Sequence, residues 1–337
     1  MGVSIPAAVL ARARRVADEF TALTGVEVDA DELLTGRAAL LGLAPAGRIS
    51  AGGATRLMAS RDGWCALTLS RPDDVEAIPA LLQSDAVVDP WQAVQGWIAD
   101  RDATEVTERA RLLGLPVAAL GETPWAPPRI RRLGPATAPR DLSGLLIVDL
   151  SAMWAGPLCG QLLLRAGTTV VKVESPSRPD GTRAGPSAFF DWMNSGKRSY
   201  TADFDEPSAL RRLLATADIV IESSRPAALA RRGLGPKDVE PRDGRVWLRI
   251  TGHGTDGERA DWVAFGDDAA VSGGLVCGTP TGPEFCGDAI ADPLTGLHAA
   301  LAVAESVRRG GGELIEMSMA AVAAGYAVLD ERPLAPC

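Results

Sequence analysis

The 337-residue chain is long enough for two ordinary domains, and a 46% share of hydrophobic residues can supply a substantial core. A formal net charge of −9 argues against nonspecific binding to nucleic acid or to an anionic membrane. With two histidines and no C-x-x-C among five cysteines, no metal site is expected.

Residues 7–23 predict an amphipathic helix that carries arginines, and not the basic-then-apolar pattern of a signal peptide. No apolar run approaches membrane-spanning length. We therefore expect a soluble, cytoplasmic protein that binds neither membrane nor nucleic acid.

The first half of the chain predicts a small α+β domain over residues 1–121, including the N-terminal helix. Its strands are predicted at 52–60, 64–70 and 116–119, and its helices at 73–83, 90–98 and 103–113. Residues 122–140 hold five prolines and a basic cluster without sustained periodicity, which predicts an interdomain linker.

From residue 141 to 337 apolar strands alternate with amphipathic helices, which predicts an α/β domain with a parallel sheet covered on both faces. The predicted strands are 145–149, 169–173, 219–222, 246–250 and 314–317, and the helices are 156–164, 207–215 and 293–307. Ligands bind at the carboxyl ends of such strands, so the segments that follow them are the place to look for chemistry.

Common nucleotide and hydrolase motifs are missing from this sequence. No G-x-G-x-x-G follows the first strand of the second domain, and neither G-x-x-x-x-G-K-[ST] nor G-x-S-x-G occurs. Dehydrogenase, P-loop and serine-hydrolase functions therefore lack support.

Two aspartates, Asp288 and Asp292, precede the predicted helix at 293–307. Pro293 suits the first helical position, so Asp292 is predicted to be an N-cap that stays ionised near neutral pH. Such a carboxylate is either a cap without chemistry or a nucleophile. His253 is interpreted as a turn residue and His298 as a packing residue.

A series of motifs in the second half resembles the family III CoA-transferases, a family that includes formyl-CoA and carnitine CoA-transferases and α-methylacyl-CoA racemases. The order and spacing fit almost continuously from Asp141 to Gly325. The matching stretches are LLIVDLS at 145–151, AGP at 155–157, VKVE at 171–174, NSGKRS at 194–199, ADIVIE at 217–222, RRGLG at 231–235, ITGHG at 250–254, SGG at 272–274 and DPLTG at 292–296.

The resemblance implies a Rossmann-like CoA-binding domain and CoA transfer between an acyl-CoA and a carboxylic acid through aspartyl anhydride and aspartyl-CoA thioester intermediates. It implies Asp292 as the nucleophile. Backbone amides near it must then stabilise the tetrahedral oxyanions, and glycine-rich stretches such as Gly273–Gly274 are a candidate source. CoA is then a substrate and not a permanent cofactor, and the family's dimers imply a homodimer. The residues expected to contact CoA are Trp154 and Ala155 near the thiol end, Ser223 and Ser224 near the nucleotide, and the basic residues Arg183 and Arg231.

In the family the Rossmann-like domain comes first, whereas here the segment that resembles the family's small domain precedes it. The resemblance therefore implies a circular permutation, or a tandem duplication cut in a different frame. Two alternative functions stay open. One is an acyl-CoA racemase or epimerase, which is disfavoured because residues 265–269 contain no histidine, although Asp267 or His253 is a substitute. The other is a non-catalytic homologue that binds CoA esters.

Overall fold

A computed structural model of the chain describes residues 3–44, 47–85, 87–279 and 281–327. The chain begins with a pair of helices, α1 (Ala7–Thr24) and α2 (Ala30–Leu41). Asp29 caps α2 by accepting hydrogen bonds from the backbone N–H groups of Asp31 and Glu32. Among the described residues, no helix has the length and apolar character needed to cross a membrane.

A small α+β unit follows. Its antiparallel sheet has the order β1 (Thr55–Ala59), β2 (Trp64–Thr68), β3 (Val117–Ala119). Four helices pack on it: α3 (Pro72–Glu76), α4 (Ile78–Leu82), α5 (Pro90–Ala99) and α6 (Ala103–Leu112). The single helix predicted at 73–83 is in fact α3 and α4, because Pro79 has no N–H to continue the first helix.

The other strands of the described residues are β4 (Arg129–Arg132), β5 (Leu146–Asp149), β6 (Thr169–Glu174), β7 (Arg198–Thr201), β8 (Ile219–Glu222), β9 (Val246–Thr251), β10 (Val276–Thr279), β11 (Gly282–Phe285) and β12 (Glu313–Ser318). Seven of them form one sheet in the order β4-β12-β9-β8-β5-β6-β7, and β10 and β11 form a separate hairpin. All neighbouring strands of the sheet are parallel except β4, which runs antiparallel to β12.

Helices cover both faces of this sheet, as the run of apolar strands requires. One face carries the long buried helix α12 (Ala291–Arg308) beside α7 (Ala155–Arg165), and the other carries the apolar side of α9 (Ser208–Thr216). The remaining helices are α8 (Ser187–Asn194), α10 (Pro226–Ala230), α11 (Gly266–Ser272) and α13 (Met319–Ala327). The predicted α/β class with a large, mostly parallel sheet is confirmed.

Strand β4 lies inside the segment predicted to be a linker at residues 122–140. The sequence did not predict this strand because the strand is short and charged and lacks an extended alternation of apolar and polar residues. Pairing with β12 supplies its stability, and on that neighbouring strand Glu316 lies 3.1 Å from the Arg131 guanidinium. A charged strand at the edge of a sheet also discourages further pairing.

Helix α1 packs against the helices of the large sheet. Val9, Ala13 and Phe20 of α1 are buried in the same core as those helices, and α1 contacts α12. The apolar stripe of α1 thus finds its complementary surface on α12.

Candidate active site

A cleft of about 260 Å³ lies between the small sheet and the carboxyl-terminal edge of the large sheet. Its apolar lining comes from Leu41, Met153, Trp154, Phe189 and Phe265. Its charged lining, among the described residues, is Arg37, Asp267 and Asp292. The loops after β5 and β6 both reach it, as expected for a ligand site of a parallel sheet.

Asp292 reaches the cleft from the first turn of α12. The helix begins at Ala291 with Ile290 at the N-cap position, so the predicted capping role of Asp292 is wrong. Its Oδ1 accepts a long hydrogen bond of 3.4 Å from the backbone N–H of Ala155, the first residue of α7. The carboxyl group therefore lies where two helix N-termini meet, a position that favours negative charge.

Burial nevertheless raises the pKa of Asp292 to about 7, with smaller contributions from the nearby Asp267 and Asp288, against the lowering effects of Arg37 and the Ala155 N–H. The expectation that Asp292 stays fully ionised near neutral pH is therefore wrong. Desolvation by the surrounding core outweighs the helix termini, which the local sequence could not show. A group with this pKa changes its charge across the physiological range.

Two glycines allow Asp292 to sit so close to its neighbours. A Cβ on Gly296 would lie 2.7 Å from the Ala155 carbonyl oxygen, and a Cβ on Gly266 would overlap the Asp292 carboxylate. Any side chain at Gly296 would push α12 away from α7. The motif glycine four residues after Asp292 thus sets the distance between the carboxylate and the Ala155 N–H.

The loop that leads into α7 is held by buried ion pairs. Lys172 on β6 donates to Asp180 at 2.7 Å and to the Ser151 carbonyl at 2.5 Å, and Asp180 accepts from the Met153 N–H at 3.1 Å. Met153 has a φ of 72°, an uncommon conformation for a side chain of its size. These bonds fix the backbone just before Trp154 and Ala155.

The predicted CoA contacts are distributed around the cleft. Trp154 lines it and packs edge-to-face on Phe189 at 5.3 Å. Ser223 is exposed at the end of β8, and its Oγ accepts from the Ala152 N–H at 3.2 Å, which ties it to the same loop. Ser224 follows it, half-buried and outside the cleft lining.

The two predicted CoA-binding arginines also lie outside the lining of the cleft. Arg183 pairs with Glu174 at 2.6 Å and lies over the ring of Phe190 at 3.8 Å. Arg231 is exposed at the end of α10. Both follow strands that end at the same edge of the sheet, β6 and β8 respectively.

The predicted oxyanion donors are not available. The N–H groups of Gly273 and Gly274 donate to the carbonyl oxygens of Ala269 and Val271, which closes α11. Gly273 also lies against α13, where a Cβ would approach Ala320 and Ala324. The serine-glycine-glycine stretch therefore serves helix termination and packing.

Sequence reasoning missed Arg37 and gave Asp267 only a minor role. Asp288 is buried and pairs with Arg37 at 2.7 Å, and burial raises its pKa. Asp267 accepts from the Ala289 N–H at 2.9 Å, and burial with the neighbouring Asp288 raises its pKa to about 6. The adjacent acids at 267 and 268 were a visible signal, but no motif marks Arg37.

The two histidines lie apart from Asp292. The Nε2 atom of His298 is 2.9 Å from the Tyr326 hydroxyl, and burial lowers the pKa of His298 to about 4. His253 lines a second cavity and packs edge-to-face on Trp262 at 5.4 Å, and burial lowers its pKa to about 3. Neither is placed to exchange a proton with a ligand in the cleft.

The sequence profile of CoA-transferase family III matches residues 142–330, which include Trp154, Ala155 and Asp292. The chain belongs to this family. The matched region carries six of the seven strands of the large sheet and both helices that meet at Asp292, while Arg37, the small sheet and strand β4 lie before it.

Known relatives agree with that assignment. The chain is 35% identical over 204 residues to the succinate–glutarate CoA-transferase of Agrobacterium fabrum, covering 53% of the chain and 50% of the relative. It is 30% identical over 199 residues to the succinyl-CoA–D-citramalate CoA-transferase of Chloroflexus aurantiacus, covering 54% and 50%. The chain thus spans about half the length of these curated relatives.

A solved structure of a CaiB/BaiF family protein from Brucella suis is similar to this chain with a TM-score of 0.51 and 32% identity. The similarity covers 58% of this chain and 60% of that one.

Proposed function

We propose that this chain transfers CoA between an acyl-CoA thioester and a carboxylic acid, with Asp292 as the nucleophile. The observation that carries the proposal is the Asp292 carboxyl group, which lies in the cleft against the Ala155 N–H with a pKa near 7. Membership of CoA-transferase family III supports it, and so do relatives named CoA-transferases.

In the first half of the reaction the Asp292 carboxylate attacks the thioester carbonyl. This forms a mixed anhydride and releases the CoA thiolate. The thiolate then attacks the aspartyl carbonyl of the anhydride, which frees the donor acid and leaves an aspartyl-CoA thioester. Splitting one exchange into covalent steps lowers each barrier.

The second half reverses these steps with a different acid. The acceptor carboxylate attacks the aspartyl thioester, expels the CoA thiolate and forms a new anhydride. The thiolate attacks the acceptor's carbonyl carbon, which gives the new acyl-CoA and restores the Asp292 carboxylate. No net proton transfer is required, so the essential protein group is an ionised Asp292.

The Ala155 N–H is the donor that we propose for the oxyanion formed at the aspartyl carbonyl. It already faces Oδ1 at 3.4 Å, and it comes from a helix N-terminus. A long bond in the resting protein leaves room to shorten as charge develops on that oxygen. The buried pairs of Lys172 with Asp180 and of Lys197 with Asp149 hold the segment that carries this N–H.

For CoA itself we propose the edge of the sheet formed by the loops after β5, β6 and β8. Trp154 flanks the thiol end, Ser223 and Ser224 take the nucleotide, and Arg183 and Arg231 approach its phosphates. Arg231 is exposed and makes no ion pair within the described residues, so it can bind a phosphate directly. Arg183 pairs with Glu174 and must share its charge with that carboxylate.

The proposal is tested by trapping the intermediate. The protein is incubated with an acyl-CoA, digested, and searched by mass spectrometry for hydroxylamine-sensitive CoA on the peptide that contains Asp292. We expect the adduct in the wild type and in Asp18→Asn, an exposed control, and its absence from Asp292→Asn. Full transfer by Asp292→Asn would overturn the proposal, and binding of acyl-CoA without exchange would favour a non-catalytic homologue.

The racemase alternative gains one supporting observation, the second carboxyl group in the cleft. Asp267 and Asp292 both line it with raised pKa values, of about 6 and about 7, and proton abstraction and return need two such groups. Incorporation of solvent deuterium at the acyl α-carbon, lost in Asp267→Asn, would establish this activity. Transfer without deuterium incorporation would exclude it.

The division of the chain at residues 122–140, the permuted domain order and the homodimer stay predictions. Sedimentation equilibrium of the purified chain measures the last of these. We expect a mass of two chains, and a monomer that transfers CoA would show the dimer to be dispensable.

A further inference from the structure

Two buried carboxyl groups at the start of α11 are joined by a row of threonine hydroxyls. Thr55 on β1 and Thr68 on β2 are partners across the small sheet, and their Oγ1 atoms are 2.9 Å apart. Thr68 Oγ1 lies 2.8 Å from Asp268 Oδ1, and Thr55 Oγ1 makes a longer contact of 3.4 Å with Asp267 Oδ2. All four side chains are buried. Together they form a hydroxyl relay that joins the small sheet to α11.

The hydroxyl relay needs one more hydrogen than its two threonines supply. Each of its three contacts takes one hydrogen, and a threonine hydroxyl has only one to donate. If Thr68 donated to Asp268 and Thr55 to Asp267, no hydrogen would lie between the two hydroxyl oxygens. A protonated carboxyl group at either end provides the third hydrogen and points all three bonds in one direction.

The surroundings of the two carboxyl groups favour Asp268 as the holder of this proton. Burial raises the pKa of both groups, and the charge of Asp288 adds to this effect at Asp267. Oδ2 of Asp268 has no hydrogen-bond partner within the described residues, so an ionised Asp268 would leave a buried negative oxygen uncompensated. Asp267 instead accepts a hydrogen bond of 2.9 Å from the Ala289 N–H, and Arg37 favours its charge.

Only one end of the hydroxyl relay faces the reacting group. Asp267 lines the cleft with Asp292, whereas Asp268 is not among the lining residues. Burial is the main cause of the raised pKa of Asp292, and charge on Asp267 and Asp288 raises it further while Arg37 lowers it. Reversal of the three hydrogen bonds carries the proton to Asp267 and moves the negative charge away from the cleft wall.

We propose that the hydroxyl relay holds a single shared proton, and that movement of this proton to Asp267 removes the negative charge beside Asp292 when that nucleophile ionises. The proposal rests on the role given to Asp292 in the transferase function above. The Asp268 carboxyl group gives up one proton, each threonine accepts one hydrogen and passes on its own, and Asp267 receives one. No proton enters or leaves the protein in this step. Asp267 and Asp268 are thus positioning residues that act through Asp292.

Infrared spectroscopy of Asp292→Asn tests the shared proton without any reaction, since this background lacks the signal of Asp292 itself. At pH 6.5 we expect the C=O stretch of a protonated carboxyl group that shifts in D₂O. Further substitution of both Asp267 and Asp268 by asparagine should abolish this band, and Thr68→Val should shift it. The absence of the band, its persistence after both substitutions, or a band unmoved by Thr68→Val overturns the shared proton.

The effect on Asp292 is measured by infrared titration of its carboxylate from pH 5 to 9, with the matching Asp292→Asn protein as the blank. Thr68→Val blocks the transfer and leaves Asp267 charged, so the pKa of Asp292 should rise by about 0.5–1 unit. Asp267→Asn removes that charge and should lower the pKa by a similar amount. Shifts in opposite directions distinguish the relay from a general disturbance of the cleft.

Two variants serve as matched controls. Thr68→Ser keeps the hydroxyl and should retain the wild-type pKa of Asp292. Thr107→Val removes another buried hydroxyl, which bonds to the Thr104 carbonyl at 3.1 Å in α6, and should also leave this pKa unchanged. Equal pKa values in Thr68→Val and Thr68→Ser, or an unchanged pKa in Asp267→Asn, overturn the proposal.

Transfer assays separate the relay from the reaction that it serves. With acetyl-CoA and propanoate, the midpoint of the pH profile of kcat/KM should shift in each variant as the pKa of Asp292 does. If the pKa shifts as expected but no CoA adduct forms on Asp292, the transferase function fails and the relay stands. If Asp292 forms the adduct and its pKa does not respond to Thr68→Val, the relay fails and the transferase function stands.

Discussion

The backbone N–H of Ala155 donates to Asp292 Oδ1 at 3.4 Å, which joins the first turns of α7 and α12 at one carboxyl group. The two residues are far apart in the sequence, and the crossing of two helices brings them together. The environment of the Asp292 carboxyl group therefore depends on the packing of α7 against α12 as well as on its own motif.

The pH dependence of transfer follows from the pKa of Asp292. Burial raises that pKa to about 7, and only the ionised carboxylate is a nucleophile. We expect kcat/KM to rise about tenfold for each pH unit below 7 and to level off above it. A pH profile of initial rates from 5 to 9 checks this, and a flat profile between 5 and 7 would show that Asp292 is ionised throughout.

Because its pKa is raised, the ionised form of Asp292 lowers the free energy of unfolding at high pH. Its pKa in the folded protein is raised above the ordinary aspartate value of 3.8, so its favourable contribution is complete below about pH 3.8 and is lost as the pH rises through about 7. Asp292→Asn should therefore raise the free energy of unfolding by about 1–2 kcal/mol at pH 8, since the group is partly exposed, and leave it nearly unchanged at pH 4.

Urea unfolding of wild type and variant at the two pH values measures this difference. Asp18→Asn, an exposed change on α1, should shift the unfolding energy by less than about 0.5 kcal/mol at both pH values. If Asp292→Asn is less stable than the wild type at pH 8, the contacts of the ionised carboxylate in the folded protein outweigh its desolvation.

Gly296→Ala tests the close contact of α12 with α7. The new Cβ would lie 2.7 Å from the Ala155 carbonyl oxygen, so the helices must separate. We expect a loss of about 1–3 kcal/mol in unfolding free energy and at least a tenfold fall in kcat. Gly96→Ala is the matched control, because Gly96 lies in α5 with no atom within 4 Å of its Cβ position, and it should stabilise the protein by about 0.5–1 kcal/mol.

Lys172→Met tests the buried ion pair that holds the loop before α7. Asp180 would be left buried without its cation, which costs about 3–5 kcal/mol of unfolding free energy. Adding Asp180→Asn should restore part of the stability but not the rate, because the Met153 N–H loses its charged acceptor. The exposed pair of Arg14 and Asp31 is the control, and Arg14→Met should cost less than about 1 kcal/mol.

Denaturant unfolding and kcat are measured on the same preparations of these variants. Equal losses of unfolding free energy in Lys172→Met and Arg14→Met would show that water reaches the pair of Lys172 and Asp180. In that case this ion pair does not hold the loop.

Arg231→Ala separates CoA recognition from folding. Arg231 is exposed and makes no ion pair within the described residues, so the unfolding free energy should not change. We expect about a tenfold increase in KM for acyl-CoA, and no change with the acyl-pantetheine, which lacks the nucleotide phosphates. Arg232→Ala, whose side chain pairs with Asp205 at 3.0 Å, is the neighbouring control. An unchanged KM for acyl-CoA would place the phosphates elsewhere.

Much of the large domain can be inferred from local sequence patterns. Continuous apolar runs such as 146–149 and 219–222 identify buried parallel strands without knowledge of their neighbours, because both faces must be covered. The resemblance of the motif around Asp292 favours this residue over Asp288 as the proposed nucleophile. A residue's type and its spacing from local neighbours are enough for inferences of this kind.

The pKa and the contacts of that carboxylate depend on its surroundings in the folded chain. The pKa of Asp292, the presence of Arg37 in the same cleft and the packing of Gly273 against α13 all depend on segments distant in the sequence. Strand β4 likewise forms because its backbone groups pair with those of β12. Desolvation, charge pairing and hydrogen-bond satisfaction are properties of what surrounds a group in space, and local sequence patterns do not contain them.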